Sequence, residues 1–369
     1  MNQTMFFKKK IIIILCILGA VFFFGCRKQS RSVSISFYHW KTDFHLTDFE
    51  KNYCKQLKIN KLYVRLFDVD WDEASRFPKP IAILDSLEKT DWEIIPTIFI
   101  TNKTFTQLAD NQVDTLAKLI FDKILLKITL PKASLRENTE GGNFNEIQID
   151  CDWTATTRER FFSFLKKLKT VSQKKISATI RLHQVKFKEK TGVPPVDAGV
   201  LMAYNMGNLE DVKTRNSILD IEILKSYVSK LKNYPLKLDV ALPIFSWGVV
   251  VRDGEVVKLI NNLTKNELQQ TPQYFPEGMP SAEYFKEKKE NHFEVLKNTY
   301  LKGFYLYKDD EIRIENADSQ QVDILEKAAD IIAQNINNQS LTIIFYHLDS
   351  ITLQRIRYEE LENITHRFQ

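Results

Sequence analysis

Two aspartates one residue apart end a run that alternates apolar and polar residues, "NEIQIDCDWT", with Asp150 and Asp152 followed by Trp153 and Thr154. Strand alternation sends successive side chains to opposite faces. Ile147, Ile149 and Cys151 then share one face, and Glu146, Gln148, Asp150 and Asp152 share the other. Carboxyl groups at a strand end can hold a polar ligand. They can also transfer protons if one of them has a pKa near the working pH. The acidic spacing stops at Thr154, whose hydroxyl is far too weak an acid to release a proton in a transition state.

The same alternation in neighbouring strand-like runs selects further polar residues for that face. Ser34, Ser36 and Tyr38 come from the first run, Arg65 from the second, and Ser177, Thr179 and Arg181 from the fifth. Asp239 comes from the seventh, and Tyr305 and Tyr307 from the eighth. Unpaired charge in an interior costs several kcal/mol per ion. Asp150, Asp152, Arg65 and Arg181 are therefore expected to share one hydrogen-bonded network near the strand ends. Such a network suits a polar binding cleft, and equally a structural ion-pair lattice.

The runs that must position these residues are 33–39, 60–67, 93–100, 145–152, 175–182, 198–204, 236–243 and 302–307. Amphipathic helical stretches lie between them, for example 46–57, 109–130, 156–171, 217–232 and 318–335. Eight strands alternating with helices predict a (β/α)₈ barrel over residues 33–336. No Gly-rich phosphate loop follows any strand, which weighs against an open doubly wound sheet. After the seventh strand, "SWGVVVRDGEVVKLI" reads as a hairpin turning at Asp253-Gly254. Residues 337–369, beginning "NNQSLTIIFYHLDS", read as a short C-terminal extension.

The first 25 residues read as a targeting segment. A basic start precedes the apolar run "IIIILCILGAVFFFG", shorter than the ~20 residues a spanning helix needs. Gly25-Cys26 at its end resembles a bacterial lipoprotein signal. That resemblance implies lipidation of Cys26, a tether over 26–32 with Arg27, Lys28 and Arg31 near headgroups, and residence in the cell envelope, at the outer membrane. An uncleaved signal anchor is the alternative. The formal charge of +5 belongs to this leader: residues 1–32 hold six Lys or Arg and no acid, leaving −1 for residues 33–369. A near-neutral body argues against nucleic acid as a partner. Cys54 and Cys151 would be the two thiols of the mature chain, with no metal-type spacing, and their pairing is open. No cofactor motif is present.

"IDCDWT" resembles the fourth-strand signature D-x-D-x-E of glycoside hydrolase family 18, the chitinase and endo-N-acetylglucosaminidase group. Asp150 and Asp152 match its last two aspartates and Trp153 a frequent tryptophan, but Thr154 stands at the catalytic glutamate. "LMAYN" on the sixth run resembles the family's M-x-Y-D, with Met202 and Tyr204 in place and Asn205 where Asp is expected. Residues 147–209 also resemble a bacterial family of unknown function, number 3142 in the domain-of-unknown-function series, which implies the same barrel and no activity. In family 18 the Glu protonates the leaving oxygen while the Asp and Tyr orient the substrate's N-acetyl group. By that route the site here is inactive, since general acid catalysis is worth ~10²–10⁴ in rate.

A displaced acid has two sources to draw on, His183 and the acids after the second strand, Asp70 among them. His183 follows the fifth strand with the parity of Arg181, although a surface loop histidine is the plainer reading. "FDVDWDE" offers Asp68, Asp70 and Asp72 after the second strand; it lacks the glycine and terminal Glu of a calcium loop, and a solvated loop is its default. Trp40, Trp71, Trp153 and Trp247, with Tyr204 and Tyr307, fall near strand ends, where flat rings beside carboxylates suit a sugar or simply plug the core. Three functions follow: a carbohydrate binder using Asp150, Asp152, Met202, Tyr204, Asn205, Trp153, Trp247, Arg65, Arg181 and Tyr307; a glycosidase with a relocated acid; or a structural lipoprotein.

Overall fold

Eight parallel strands close on themselves in the computed structural model, which describes residues 31–129, 144–269, 283–315 and 320–369. In chain order these are β1 (Ser32–His39), β2 (Lys61–Asp72), a short β3 (Phe77–Ile81) returning antiparallel on β2, β4 (Glu93–Ile100), β5 (Glu146–Asp150), β6 (Lys175–Arg181), β7 (Ala198–Met202) and β8 (Leu238–Pro243). Then come β9 (Trp247–Arg252), β10 (Glu255–Asn261), β11 (Phe285–Lys289), β12 (His292–Val295), β13 (Thr299–Leu301), β14 (Phe304–Leu306) and β15 (Glu311–Glu315), before β16 (Ser340–Tyr346). The barrel runs β1-β2-β4-β5-β6-β7-β8-β16, and β16 closes it on β1 in register from Ser32↔Ser340 to Tyr38↔Tyr346. This is the α/β barrel expected of alternating strands and helices.

The eighth strand is not 302–307. That stretch falls in the β13–β14 hairpin, which pairs only with itself, whereas "SLTIIFY" of β16 bonds both β8 and β1. Residues 337–369 are therefore no extension: they supply the closing strand and the helix Tyr358–His366, which buries Leu361 and Ile364. The expected tether is also shorter. β1 begins at Ser32, and the Arg31 guanidinium donates to the carbonyls of Asn338, Ile336 and Phe368 at 2.7, 2.8 and 2.8 Å, which ties it to the base of the barrel rather than to lipid headgroups. Cys26 and the rest of residues 1–30 lie outside the described residues. Among the described residues no helix is long and apolar enough to cross a membrane.

Sequence explains the layers locally. Helix Arg158–Ser172 buries Phe161, Phe164, Leu165 and Leu168, the i, i+3, i+4, i+7 stripe that faces a core. Ile147 and Ile149 from the outward face of β5, and Cys151 just past it, join the same core. Thr47 and Glu50 form a capping box that starts helix Asp48–Gln56. Inside the barrel the polar parity holds, and several of its members are hydrogen-bonded. Ser177 donates to Glu146 at 2.6 Å, Ser36 donates to the Lys61 carbonyl at 2.8 Å, and Asp239 accepts from the Thr342 backbone at 2.7 Å.

The hairpin after the seventh barrel strand is present and belongs to something larger. β9 and β10 turn at Asp253-Gly254, both with positive φ (51° and 81°), as a two-residue hairpin turn matching strand twist requires. They join β15, β12 and β11 in a five-stranded antiparallel sheet with its own core, including Val250, Phe285, Phe293 and Ile312.

Candidate functional site

A cavity of about 540 Å³ opens at the carboxyl ends of the barrel strands, a size ordinary for small-molecule sites. Asp150 enters it from β5, Arg181 from β6, Met202 from β7 and Tyr346 from β16. Asp68 and Phe99 line it from β2 and β4, and Trp40 from just past β1. The insertion contributes Trp247 at the start of β9 and Asn261-Asn262 at the end of β10. Tyr204, Asn205, Phe245, Ser246 and His347 complete the wall.

Asp150 sits at the bottom, 5% exposed, and Thr179 donates to its Oδ1 at 2.6 Å. Burial, and next the negative charge of Asp152, push its carboxyl up to about 6. Arg181 does not reverse this, because it is spent on Asp152: Nε and Nη2 reach the two carboxylate oxygens at 2.5 and 2.8 Å in a bidentate fork. Asp152 thus stands at the rim, about half exposed, and is not part of the cavity wall. The single network expected of Asp150, Asp152, Arg65 and Arg181 does not form: Arg181 pairs with Asp152, Arg65 with Asp68, and Asp150 is held by Thr179. Arg65 stands 3.4 Å from Asp68 and lies over the Trp40 ring.

The Arg65–Asp68 pair exists because β2 is bulged. Residues three apart in a regular strand face opposite ways, but the register shifts between Arg65 and Phe67, so both side chains turn inward. Burial raises the pKa of Asp68 and Arg65 opposes it. Asp70 and Asp72 are engaged elsewhere, Asp70 by Thr101 at 2.6 Å and Asp72 by Ser75 and Lys79. Among the described residues no group of His, Cys, Asp and Glu could hold a metal.

Four aromatic rings make one continuous patch. Tyr346 lies 5.4 Å from Tyr204, 5.5 Å from Phe245 and 5.7 Å from Trp40, ring centre to ring centre. The Tyr204 hydroxyl is buried with no hydrogen-bond partner, a donor and acceptor held ready in an apolar wall. Trp247 packs on Phe245 at 5.2 Å and donates its indole N–H to Glu315 Oε2 at 2.9 Å. Asn205 follows with a left-handed backbone, φ 50°, which Asn tolerates better than most residues.

Other expected residues fall outside the cavity wall. Trp153 is 1% exposed, stacks on Phe161 at 5.1 Å and donates to the Thr191 carbonyl at 2.9 Å, so it is a core plug between strand and helix. Its parity with Cys151 already pointed outward. Thr154 is exposed and bonded to Thr156 and Thr157. Tyr307 lies on the insertion surface, 49% exposed, with Arg252 over its ring, because its segment is not a barrel strand. His183 lies on the short helix after β6, outside the cavity wall; desolvation, and next the Arg181 charge, lower its pKa. Cys54 and Cys151 are both buried and free. Sequence reasoning missed Tyr346 and His347, which follow from the true eighth strand, and Phe99, Asn261 and Asn262, for which no signal stood out.

No family model matches the chain, and no curated protein matches it. Among solved structures, the spore cortex-lytic enzyme SleL of Bacillus megaterium aligns at 14% identity with TM-score 0.54, covering 92% of this chain and 75% of that one. SleL of Bacillus cereus aligns at 14% identity with TM-score 0.51 and the same coverage. A chitinase of Chromobacterium violaceum aligns at 10% identity with TM-score 0.48, covering 90% of this chain and 98% of that one. At such identities the two SleL likenesses establish the glycosidase-like barrel fold. The resemblance to family 3142 rests on the motifs alone.

Proposed function

We propose that this chain binds a carbohydrate, an N-acetylated oligosaccharide, in the cavity at the carboxyl ends of its barrel strands, and that it does not use the family 18 route. The observation that carries this is the make-up of the cavity: a patch of Trp40, Tyr204, Phe245 and Tyr346 beside a buried carboxyl and two amides, Asn261 and Asn262. Ring faces take the apolar faces of a sugar, while carboxyl and amide groups take its hydroxyls. The family's proton donor has no counterpart, because Thr154 is outside the wall, and Arg181 holds the Asp that would orient an acetamido group. The two SleL neighbours are spore cortex-lytic enzymes, which agrees with a glycan ligand.

The test is calorimetry of the full chain with chito-oligosaccharides. Saturable heat that falls in Tyr204→Phe supports the reading; no heat from folded protein ends it.

The same proposal places the protein in the cell envelope, lipid-anchored at Cys26. Support comes from the sequence pattern and from Ser32 opening β1, at the end of the barrel opposite the cavity. Metabolic labelling with a palmitate analogue, lost in Cys26→Ala, would support it; equal labelling of that variant would refute it.

A further inference from the structure

Asp68, Phe99 and Asp150 form one row across three adjacent strands: Asp68 is the register partner of Phe99 on β4, and Phe99 that of Asp150 on β5. All three line the cavity. Two interstrand steps of about 4.8 Å set the backbones of the aspartates ~10 Å apart. Side chains pointing into a closed barrel converge from there. Inversion calls for roughly 6.5–9.5 Å between the two carboxyl groups, room for a water between an acid and a base, and backbones ~10 Å apart with both side chains turned into one cavity suit it.

We propose that Asp150 and Asp68 are the general acid and general base of a glycosidic hydrolysis with inversion, built on β5 and β2 in place of the acid missing at Thr154. This rests on the carbohydrate reading above. The roles follow from what stands beside each carboxyl. Asp150 is in the drier place: its own face holds Thr179, and around it lie Tyr38, Tyr204 and Tyr346, with Asp152 and Asp68 as nearby negative charges and Arg181 already committed to Asp152. Such a carboxyl keeps its proton more readily than an ordinary one. Asp68 Oδ1 has the Arg65 Nε at 3.4 Å, an ion pair that favours the carboxylate. Burial raises both carboxyls; what separates their roles is that Asp68 has an arginine beside it, whereas the arginine near Asp150 is bound to Asp152. The unpartnered Tyr204 hydroxyl in the same wall is a group waiting for a polar ligand.

In the step, Asp150 gives its proton to the glycosidic oxygen as the C1–O bond breaks. A water loses a proton to Asp68 while its oxygen bonds to C1 on the opposite face. The products are a reducing sugar of inverted configuration and the released alcohol. Asp150 is left ionised and Asp68 protonated, and proton exchange with solvent restores both.

The full chain is assayed with chitotetraose, with NMR of the first-formed anomer, and with the 2,4-dinitrophenyl glycoside of chitobiose. Turnover with inversion is expected. Asp150→Asn lowers kcat on chitotetraose by about 10²–10⁴-fold, and far less on the dinitrophenyl glycoside, whose leaving group needs no proton. Asp68→Ala lowers both, and azide restores part of the dinitrophenyl rate as the glycosyl azide. Arg65→Met, which leaves both carboxyls in place, moves the acid limb of the kcat/KM profile to higher pH, as a purely structural arginine would not. A retained anomer, or an Asp68→Asn variant as active as wild type, overturns the proposal. So does saturable heat without turnover by the wild type, which leaves the carbohydrate reading standing; no heat and no turnover defeats both.

Discussion

Glu315 accepts the indole N–H of Trp247, and through the same oxygen it accepts the backbone N–H and hydroxyl of Ser217 at 2.8 and 2.6 Å. One buried carboxylate at the end of β15 therefore joins the insertion to the segment after β7 and sets an aromatic wall of the cavity. Its other oxygen takes Arg313 Nε at 2.7 Å, a pair with 2% and 0% side-chain exposure.

Removing one member of that pair strands the other. Glu315→Ala should cost about 3–5 kcal/mol, because the Arg313 charge would stay buried and unpaired. The double variant Arg313→Met, Glu315→Leu should recover much of that loss. Urea unfolding of the three proteins checks it; a single variant as stable as wild type would show that water reaches Arg313.

Asp150 predicts a pH dependence of stability whose sign is fixed by its raised pKa. Its folded value of about 6 lies above the ordinary 3.8, so the folded state holds the proton more tightly than the unfolded chain. The stabilisation this provides is fully present below the unfolded pKa and is lost as pH rises through about 6. Across that window the change is about 3 kcal/mol at 1.36 kcal/mol per unit. Asp150→Asn, which has no proton to lose, should gain on wild type by that order between pH 4 and pH 8. Denaturant midpoints at several pH values measure it, and parallel curves would mean Asp150 titrates normally.

Much of this site was legible from alternation alone. Asp150, Thr179, Ser177 and Asp239 face inward as a period of two demands. Three failures have distinct physical causes. The bulge after Arg65 reverses the faces of β2, and nothing in "VRLFDVD" marks it, so Asp68 stayed hidden among three equivalent acids. "KGFYLY" and "LTIIFYH" have equal strand character, and only pairing with β1 tells the closing strand from a hairpin in the insertion. Trp153 is the opposite case: the motif likeness points it into the cavity, while its parity with Ile149 and Cys151 points it outward, and the structure obeys the parity.

Asp152 modulates Asp150 more than it stabilises the fold. Its ion pair with Arg181 is half exposed, where such pairs contribute about 0–1 kcal/mol. Asp152→Asn should therefore leave the melting temperature nearly unchanged. It removes a negative charge next to Asp150 and frees Arg181, so the Asp150 pKa should fall. Carbon-detected NMR titration of the Asp150 carboxyl reads this directly; an unchanged midpoint would leave burial as the whole cause.

The two thiols should be inert in the native protein. Burial raises Cys54 to about 12 and raises Cys151 as well, so neither supplies thiolate at neutral pH. Reaction with a thiol reagent should be slow in buffer and complete within minutes in denaturant. The alkylated, unreduced protein should carry label on both residues; a disulfide between them would leave both unlabelled.

Trp153 and Trp247 give opposite expectations, and together they separate packing from recognition. Trp153→Ala empties a site in the main core, between Phe161, Phe162 and the Thr191 carbonyl, and should cost about 3–5 kcal/mol. Trp153→Phe keeps most of that packing and should bind oligosaccharide as wild type does. Trp247→Ala removes a ring that faces the cavity and is only half-buried, so the melting temperature should move less. Sugar affinity should drop about tenfold or more, equivalent to about 1.4 kcal/mol. Paired thermal melts and calorimetry decide between the roles. If Trp153→Phe loses affinity while Trp247→Ala keeps it, the wall of Trp40, Tyr204, Phe245 and Trp247 is not the one that meets the ligand, because Trp153 does not line the cavity.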